Sequence, residues 1–570
     1  MRYAALAIDY DGTLATHGRV APDTLHALEQ LAASGRRLVL VTGRELHDLL
    51  GIFPEIGVFD RVVAENGALL YTPATRVRRT LAEAPPPAFA RELARRGVAP
   101  LSVGETIVAT VHPNETLVLA AIRDLGLELQ VIFNKGAVMV LPASVNKASG
   151  LMAALEELSL SPRNVAAIGD AENDHALLRA AEYGVAVANA LPMLQREVDR
   201  ISARENGAAV IELARDIMAH DLRATPPRAP RRQIALGTRA DGTVAHLAPA
   251  GGNLLVAGAS GSGKSTFVSG VLERFAAEGY QFCVVDPKGD YSTLADAIVF
   301  GNGERGPGAA EVFTALEKPA ANVVMNLIAV PLADRPQFFR GILPRLEALR
   351  AKTGRPHLLV IDEAHHLMPD DPAHRAQRDA LSGVILVTVH PESVEAAALR
   401  TVDWVVALGE SPEATLQQFG RVAGIGRLEL EATALRPTEA LLWSRDAGLR
   451  AEVIRVAPSG AERQRHRRKY AEGELAPERS FRFRGPQGKL NLRAQNLMLF
   501  LQIGDGVDDE SWLHHLRRGD YSRWVRASIK DDALADELAA VERDESVDVP
   551  HGRARIRAAV EERYTLPTTG

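Results

Sequence analysis

The chain has 570 residues, more than one ordinary core sustains, and at roughly 100–200 residues per domain about three or four units are expected. Hydrophobic residues make up 46% and charged residues 24%, the balance of a soluble globular protein. A formal net charge of -6 argues against wholesale coating of a polyanion and leaves room for a local basic surface.

In chain order, Met1-Arg2-Tyr3 runs at once into a strand-like stretch ending at Asp9, with no signal-peptide cleavage pattern. No apolar stretch reaches the roughly 18 residues of a membrane span, so a cytoplasmic protein without a membrane partner is expected. Residues 1–220 alternate short apolar runs (Tyr3–Ile8, Arg37–Val41, Val165–Ile168, Val185–Val187) with amphipathic stretches such as Pro22–Ser34 and Lys147–Leu158. This alternation predicts a doubly wound parallel sheet. Residues 83–140 break the pattern with Pro85-Pro86-Pro87, a helical stretch and three strand candidates, Thr106–Val111, Leu127–Phe133 and Ala137–Leu141, and read as an α+β insert. The proline- and arginine-rich 221–232 reads as a linker. A second α/β pattern follows over 233–457, and its apolar run Phe282-Cys283-Val284-Val285 holds the lone cysteine, which reads as a small buried hydrophobe needing no oxidising compartment. Residues 458–489 read as a basic linker and 490–570 as a small, mostly helical unit with Phe500, Trp512, Tyr521 and Trp524 in its core. Asp520 or Ser522 is expected to cap the helix carrying Trp524. No internal repeat is present.

The first strand ends Ile8-Asp9-Tyr10-Asp11-Gly12-Thr13. Two carboxylates two residues apart at a strand end face one site, where one can attack phosphorus and the other handle protons. Val41-Thr42-Gly43-Arg44 offers a hydroxyl to a phosphoryl oxygen, Lys147 can neutralise transition-state charge, and Gly169-Asp170-Ala171-Glu172-Asn173-Asp174 supplies acidic metal ligands suited to Mg2+. Asp-x-Asp alone reads more readily as a helix cap, but four pieces in this order point to chemistry. Residues 1–220 resemble the haloacid dehalogenase superfamily, class IIB, near phosphoglycolate- and sucrose-phosphate-type phosphatases, and Glu65-Asn66-Gly67-Ala68 matches a turn of that class. The resemblance implies a Rossmann-like domain whose insert is a cap closing over a small phosphorylated metabolite. It implies Asp9 as the nucleophile forming an aspartyl-phosphate and Asp11 as general acid and base. Thr42, Gly43, Lys147 and Asn173 would hold the phosphoryl group. Mg2+ would sit on Asp9, the backbone carbonyl of Asp11 and Asp170, with Asp174 supporting.

The strand Leu254-Leu255-Val256-Ala257 leads into Gly258-Ala-Ser-Gly261-Ser-Gly263-Lys264-Ser265-Thr266, a phosphate-cradling P-loop in which Lys264 reaches the β/γ oxygens of ATP and Ser265 binds Mg2+. His357–Ile361 ends in Asp362-Glu363, with Asp362 for the Mg2+ shell and Glu363 to polarise water, which favours hydrolysis over transfer to a hydroxyl. With Val284–Tyr291 and Val384–His390, residues 233–457 resemble the HerA/FtsK group of P-loop ATPases, often hexameric motors, which implies a homo-oligomer. The expected glutamine after the sensor strand is replaced by His390-Pro391-Glu392-Ser393, leaving Thr388 or His390 to contact the γ-phosphate or water. Arg340, Arg345 and Arg400 are candidate trans-acting arginines, each also readable as a surface charge. Two alternatives stay open: a nucleic-acid end-processing phosphatase/kinase, and a phosphatase regulated by an ATP-dependent switch domain. Nucleic acid is not the favoured partner, because Arg463–Lys469 reads first as a solvated linker with few aromatics.

Overall fold

The computed structural model describes residues 2–228, 231–249, 252–369, 382–428, 435–459, 475, 479–488, 490–529, 531–544 and 546–564. The chain forms two compact units, Met1–Ala457 and Pro458–Gly570.

The first unit begins with an eight-stranded sheet in the order Arg200–Ile201, Tyr183–Ala186, Val165–Gly169, Ala5–Asp9, Arg37–Val41, Arg61–Ala64, Leu69–Thr72, Val77–Thr80. All five residues of Ala5–Asp9 are buried, as expected of a parallel strand covered on both faces. Its partners on both sides run parallel to it, with Ile8 opposite Ile168 and Asp9 opposite Val41. The helix Lys147–Glu157 starts where Asn146 caps it: Asn146 Oδ1 accepts from the amides of Ala148 (2.9 Å) and Ser149 (3.1 Å). This cap sets Lys147 at the first helical position.

The insert is a four-stranded antiparallel sheet, ordered Ser102–Val103, Val108–Val111, Ala137–Pro142, Leu129–Asn134. It carries two helices, Pro87–Arg95 and Glu115–Asp124, where the sequence suggested one. Phe89, Leu93, Val118, Ala121, Val138 and Val140 form its own core. The arginines of 221–232, which read as linker charges, bind the N-terminal domain: Arg231 donates to Asp199 (3.1 Å) and to the Leu178 carbonyl (2.9 Å).

The second sheet of this unit has eleven strands. Asn253–Gly258 lies between Val384–Thr388 and Val402–Leu408, all parallel, and Leu358–Ile361 follows on the far side of Val384–Thr388. Apolar clusters cover both faces. The two sheets are joined through buried polar groups. Arg355, 1% exposed, donates to the carbonyls of Ser159 (3.0 Å), Leu316 (3.3 Å) and Glu317 (3.2 Å). His357 Nδ1 accepts from the Gln281 amide (2.8 Å), so its Nε2 donates to Asn164 Oδ1 (3.1 Å).

The second unit contains the helices Leu497–Gly506, Asp509–Arg517, Asp520–Trp524, Asp532–Arg543 and Val549–Tyr564. Phe500, Trp512, Tyr521 and Trp524 are buried in its core as expected. The linker expected over 458–489 is corrected at its end: Phe481–Phe483 is a strand paired with Leu492–Ala494. Its alternation sends Phe481 and Phe483 into the core, a signal that the surrounding arginines obscured. The helix carrying Trp524 is preceded by Gly519 in the left-handed region, so neither Asp520 nor Ser522 is its cap. The basic run 463–469 lies outside the described residues. Among the described residues no helix is long and apolar enough to cross a membrane.

Candidate functional site

Parallel pairing of the first strand with its two neighbours brings Asp9, Thr42 and Asp170 to one sheet edge, where ligands of doubly wound sheets bind. Asp9 is 4% exposed. Lys147 Nζ donates to Asp9 Oδ1 at 2.5 Å and to Asp174 Oδ1 at 2.6 Å. The other oxygen of Asp174 accepts from the amides of Asp170 (2.9 Å) and Ala171 (3.0 Å), which locks the turn carrying Asp170. Asp170 accepts from Thr13 Oγ1 (3.1 Å) and pairs with Lys135, at the tip of the cap hairpin. Carboxylate oxygens of Asp9, Asp170 and Asp174 all lie within 4.8 Å of one another. Three converging hard oxygen donors fit Mg2+, which takes a few carboxylates plus substrate oxygens and water. The Asp11 carboxylate is not in this group: Arg44 grips both its oxygens, Nε at 2.6 Å and Nη2 at 2.7 Å.

The other phosphate-site residues line the same edge. Thr42 is buried and its Oγ1 accepts from the Arg44 amide at 3.1 Å. Gly43 lies beside the side chains of Asn173 and of Met139 from the cap. Asn173 Nδ2 donates to Asn66 Oδ1 (3.0 Å), while Asn173 Oδ1 is buried with no hydrogen-bond partner among the described residues. Glu65 reaches into the cap, accepting from Thr106 N (2.6 Å) and Thr106 Oγ1 (2.8 Å).

Charge is crowded here. Burial, then the charge of Asp174, pushes the Asp9 carboxyl well above its ordinary range, against the opposing pull of Lys147. Burial also raises Asp170, opposed by its bond to Lys135. Burial works against the Lys147 ammonium, but Asp174 and Asp9 outweigh it and hold the group protonated. A divalent cation among these carboxylates would relieve the same repulsion.

In the P-loop, Gly258, Gly261 and Gly263 take φ of 152°, 78° and 91°, backbone that side chains rarely adopt, so the loop can wrap a phosphate. Lys264 Nζ folds onto the carbonyls of Gly258 (2.8 Å) and Ala259 (2.9 Å), and Ser265 Oγ donates to Asp290 Oδ2 (2.8 Å). Thr266 lies in the first turn of the helix Lys264–Ala277. Asp362 is 2% exposed, and its Oδ2 has no hydrogen-bond partner among the described residues. Burial, then Glu363 and Asp286, pushes it up to about 8. A buried carboxylate oxygen with an open lone pair, within electrostatic reach of Lys264, suits a cation. Glu363, with φ of 46°, pairs with Lys288, and His365 Nδ1 lies 3.5 Å from its other oxygen. The Thr388 hydroxyl accepts from the His390 amide (3.0 Å) and bonds His365 Nδ1 (3.0 Å).

Residues 6–84 and 123–213 match the haloacid dehalogenase-like hydrolase family, skipping most of the cap. A phosphoglycolate phosphatase of Methanothermobacter thermautotrophicus is 32% identical over 228 residues, 38% of this chain and 98% of that protein. The chain belongs to the haloacid dehalogenase-like hydrolases. A phosphoglycolate phosphatase of Haloarcula marismortui is 30% identical over 36% of this chain and 94% of its own length. A solved haloacid dehalogenase-like hydrolase from Bacteroides thetaiotaomicron aligns with 38% of this chain and 99% of that one at 20% identity, with a TM-score of 0.34. Residues 249–389 match an AAA domain. One chain thus joins a phosphoric-monoester hydrolase of the haloacid dehalogenase type to a P-loop module.

Sequence reasoning missed several contributors to the hydrolase site. Lys135 sits in the turn between two strand candidates and reaches a carboxylate 35 residues onward. Asn189 donates to the Gly12 carbonyl at 2.9 Å and fixes the loop after Asp11. The pairing of Arg44 with Asp11 joins two motifs that were read separately. A lysine next to glycine in a hairpin turn was the one local signal, and nothing nearby in sequence says where it points. In the P-loop module, Lys288, Asp290 and His365 were likewise unassigned.

Proposed function

We propose that the N-terminal domain is a Mg2+-dependent phosphatase for a small, acidic phosphorylated metabolite, and that the P-loop domain binds and hydrolyses ATP. The observation that carries the first reading is the buried junction of Asp9, Lys147, Asp174 and Asp170. Asp9, the Asp11 backbone carbonyl and Asp170 would hold Mg2+, which would neutralise phosphoryl charge. Asp9 attacks phosphorus and becomes an aspartyl-phosphate, while Lys147 and Thr42 hold the equatorial oxygens. Asp11 gives a proton to the leaving oxygen and later takes one from water. Its bidentate tie to Arg44 must open first, and an anionic substrate that draws the guanidinium away does this. Lys135 and Arg44 place two further cations at the mouth of the site, which supports a substrate carrying an acidic group beside its phosphate, and the relatives named above are phosphoglycolate phosphatases.

The test is phosphate release from 2-phosphoglycolate and from a neutral sugar phosphate. Asp9→Asn is expected to lose at least about 10⁴-fold in kcat, since no other group can form the covalent intermediate. Lys135→Ala is expected to lose activity selectively on the acidic substrate. Equal losses on both substrates would remove the acidic-substrate reading and leave the phosphatase standing.

For the P-loop domain, the open lone pair of Asp362 supports nucleotide-bound Mg2+ with Ser265, and Glu363 as the base for water. The HerA/FtsK resemblance supports an oligomer. A second reading, an ATP-dependent switch on the phosphatase, is favoured by one observation. The helix beginning at Lys147 and the helix ending at Ala277 both line a cavity of about 740 Å³ between the two sheets. A nonhydrolysable ATP analogue that alters phosphatase kcat supports the switch, and an unchanged kcat rejects it.

A further inference from the structure

The second unit holds an open pocket of about 1000 Å³ with a basic rim. It owes its charge to strand geometry. In Phe481-Arg482-Phe483-Arg484 the phenylalanines enter the core, so the arginines emerge on the other face. Arg518 and Arg523 approach from the turn before and the end of the helix Asp520–Trp524. Four guanidinium groups therefore surround a pocket whose lining holds a single carboxylate, Asp520. That carboxylate is already engaged: it accepts from His515 Nδ1 (2.8 Å) and Arg523 Nη1 (3.3 Å). His515 Nε2 in turn accepts from the Arg484 amide (3.0 Å), so the imidazole ties the strand end to the helix and fixes the mouth. The Arg484 guanidinium has no partner among the described residues.

We propose that this pocket binds single-stranded nucleic acid through its phosphates. Pockets for compact ligands measure roughly 300–1,000 Å³, and this one, at the top of that range, is far larger than one phosphate needs. A site for a single small anion would clamp it with buried donors, whereas Arg484, Arg518 and Arg523 are exposed, Arg482 is half-buried, and the four are spread round an open mouth, which suits an extended polyanion. The cations are all arginine. Guanidinium binds phosphate bidentately and stacks on unpaired bases; Phe481 and Trp524 border the pocket but are buried, so stacking falls to the arginines. A concave pocket of this size admits a splayed strand and not the convex face of a duplex. The inference concerns residues 480–527 alone and stands apart from the run 463–469 and from both activities proposed above.

The test is fluorescence anisotropy of a labelled ten-nucleotide oligonucleotide with the full chain across a salt series. Wild-type protein is expected to bind more weakly as salt rises. Arg484→Ala/Arg523→Ala is expected to bind about tenfold more weakly at low salt, with a salt slope shallower by about 1.4, the loss of two single-strand phosphate contacts. Both side chains are exposed, and unchanged thermal unfolding confirms an intact fold; Arg484→Glu, a charge reversal at one position, is expected to weaken binding further than Arg484→Ala. An unlabelled duplex of the same sequence should compete poorly. Absence of salt-dependent binding, equal binding by the double variant, or better competition by a phosphoserine peptide than by the unlabelled strand would each overturn the proposal.

Discussion

Replacing Lys147 with Met keeps the side chain's length and approximate volume and removes its charge. Among the described residues Lys147 is the one cation bonded to both Asp9 (2.5 Å) and Asp174 (2.6 Å), and it is 1% exposed. At an effective dielectric of about 20, unit charges about 3 Å apart attract by roughly 5 kcal/mol. Two such attractions, less the desolvation of the ammonium, leave a net loss on the order of 3–5 kcal/mol when the partner of buried carboxylates is removed. Mg2+ set among the same carboxylates counters the repulsion that remains, so the loss should shrink in saturating Mg2+. In the reaction, one preorganised cation fewer at the phosphoryl oxygens should lower kcat by about 10²–10³-fold. Local stability is read from amide exchange in the strand Ala5–Asp9 during mild urea titration, with and without Mg2+, and kcat from phosphate release. A kcat within threefold of wild type, or a stability loss indifferent to Mg2+, would refute the assignment of this lysine to both tasks.

Lys264→Ala should abolish ATP binding by removing the charge that meets the β/γ-phosphates, whereas Glu363→Gln should bind ATP and fail to hydrolyse it; sedimentation should find the ATP-loaded Glu363→Gln protein the most oligomeric form, and a monomer at high concentration would reject the ring. Burial, with Arg355, Arg350 and Arg163 nearby, pushes His357 from 6.5 down to about 3, so the folded chain refuses a proton that the unfolded chain accepts. Its contribution to stability is complete above about pH 6.5 and is lost as pH falls toward about 3; His357→Gln should flatten the fall in Tm between about pH 7.5 and about 5. Gly67 has φ of 108°, and a Cβ there would sit 1.9 Å from the Asn146 carbonyl, so Gly67→Ala should cost on the order of 3 kcal/mol and lower kcat by shifting the cap of the Lys147 helix. Gly51→Ala, on a helix with nothing within 4 Å of the new Cβ, should be neutral or stabilising by about 0.5–1 kcal/mol in the same melt.

The elements that sequence alone determined are those built by neighbours in the chain. Asp9 closes the first strand and Asp11 lies in the turn directly after it, and the P-loop is one turn whose phosphate-binding groups are mostly backbone amides. The helix at Lys147 was readable from the amphipathic run Lys147–Leu158, and Asn146 and Ser149, within one turn of it, fix where it starts. The apolar runs announced parallel strands, and the register that brings Asp9 to Asp170 follows from covering both faces of the sheet. The strand Phe481–Phe483 was missed because it has only three residues, one of them the outward-facing Arg482, and two phenylalanines among flanking arginines are too short a pattern to stand out. Tertiary structure alone decided which charges meet. Lys135 reaches Asp170 only because the cap docks over the sheet, and Arg44 takes Asp11 only because two strands lie in register. Arg355 and His357 look like polar residues before a strand, and become buried bonds only where a second sheet is packed against them. Local conformation is set by steric and hydrogen-bonding rules that act within a few residues. The direction of a long charged side chain is set by whatever folding brings within its reach, and no spacing in the chain encodes that distance.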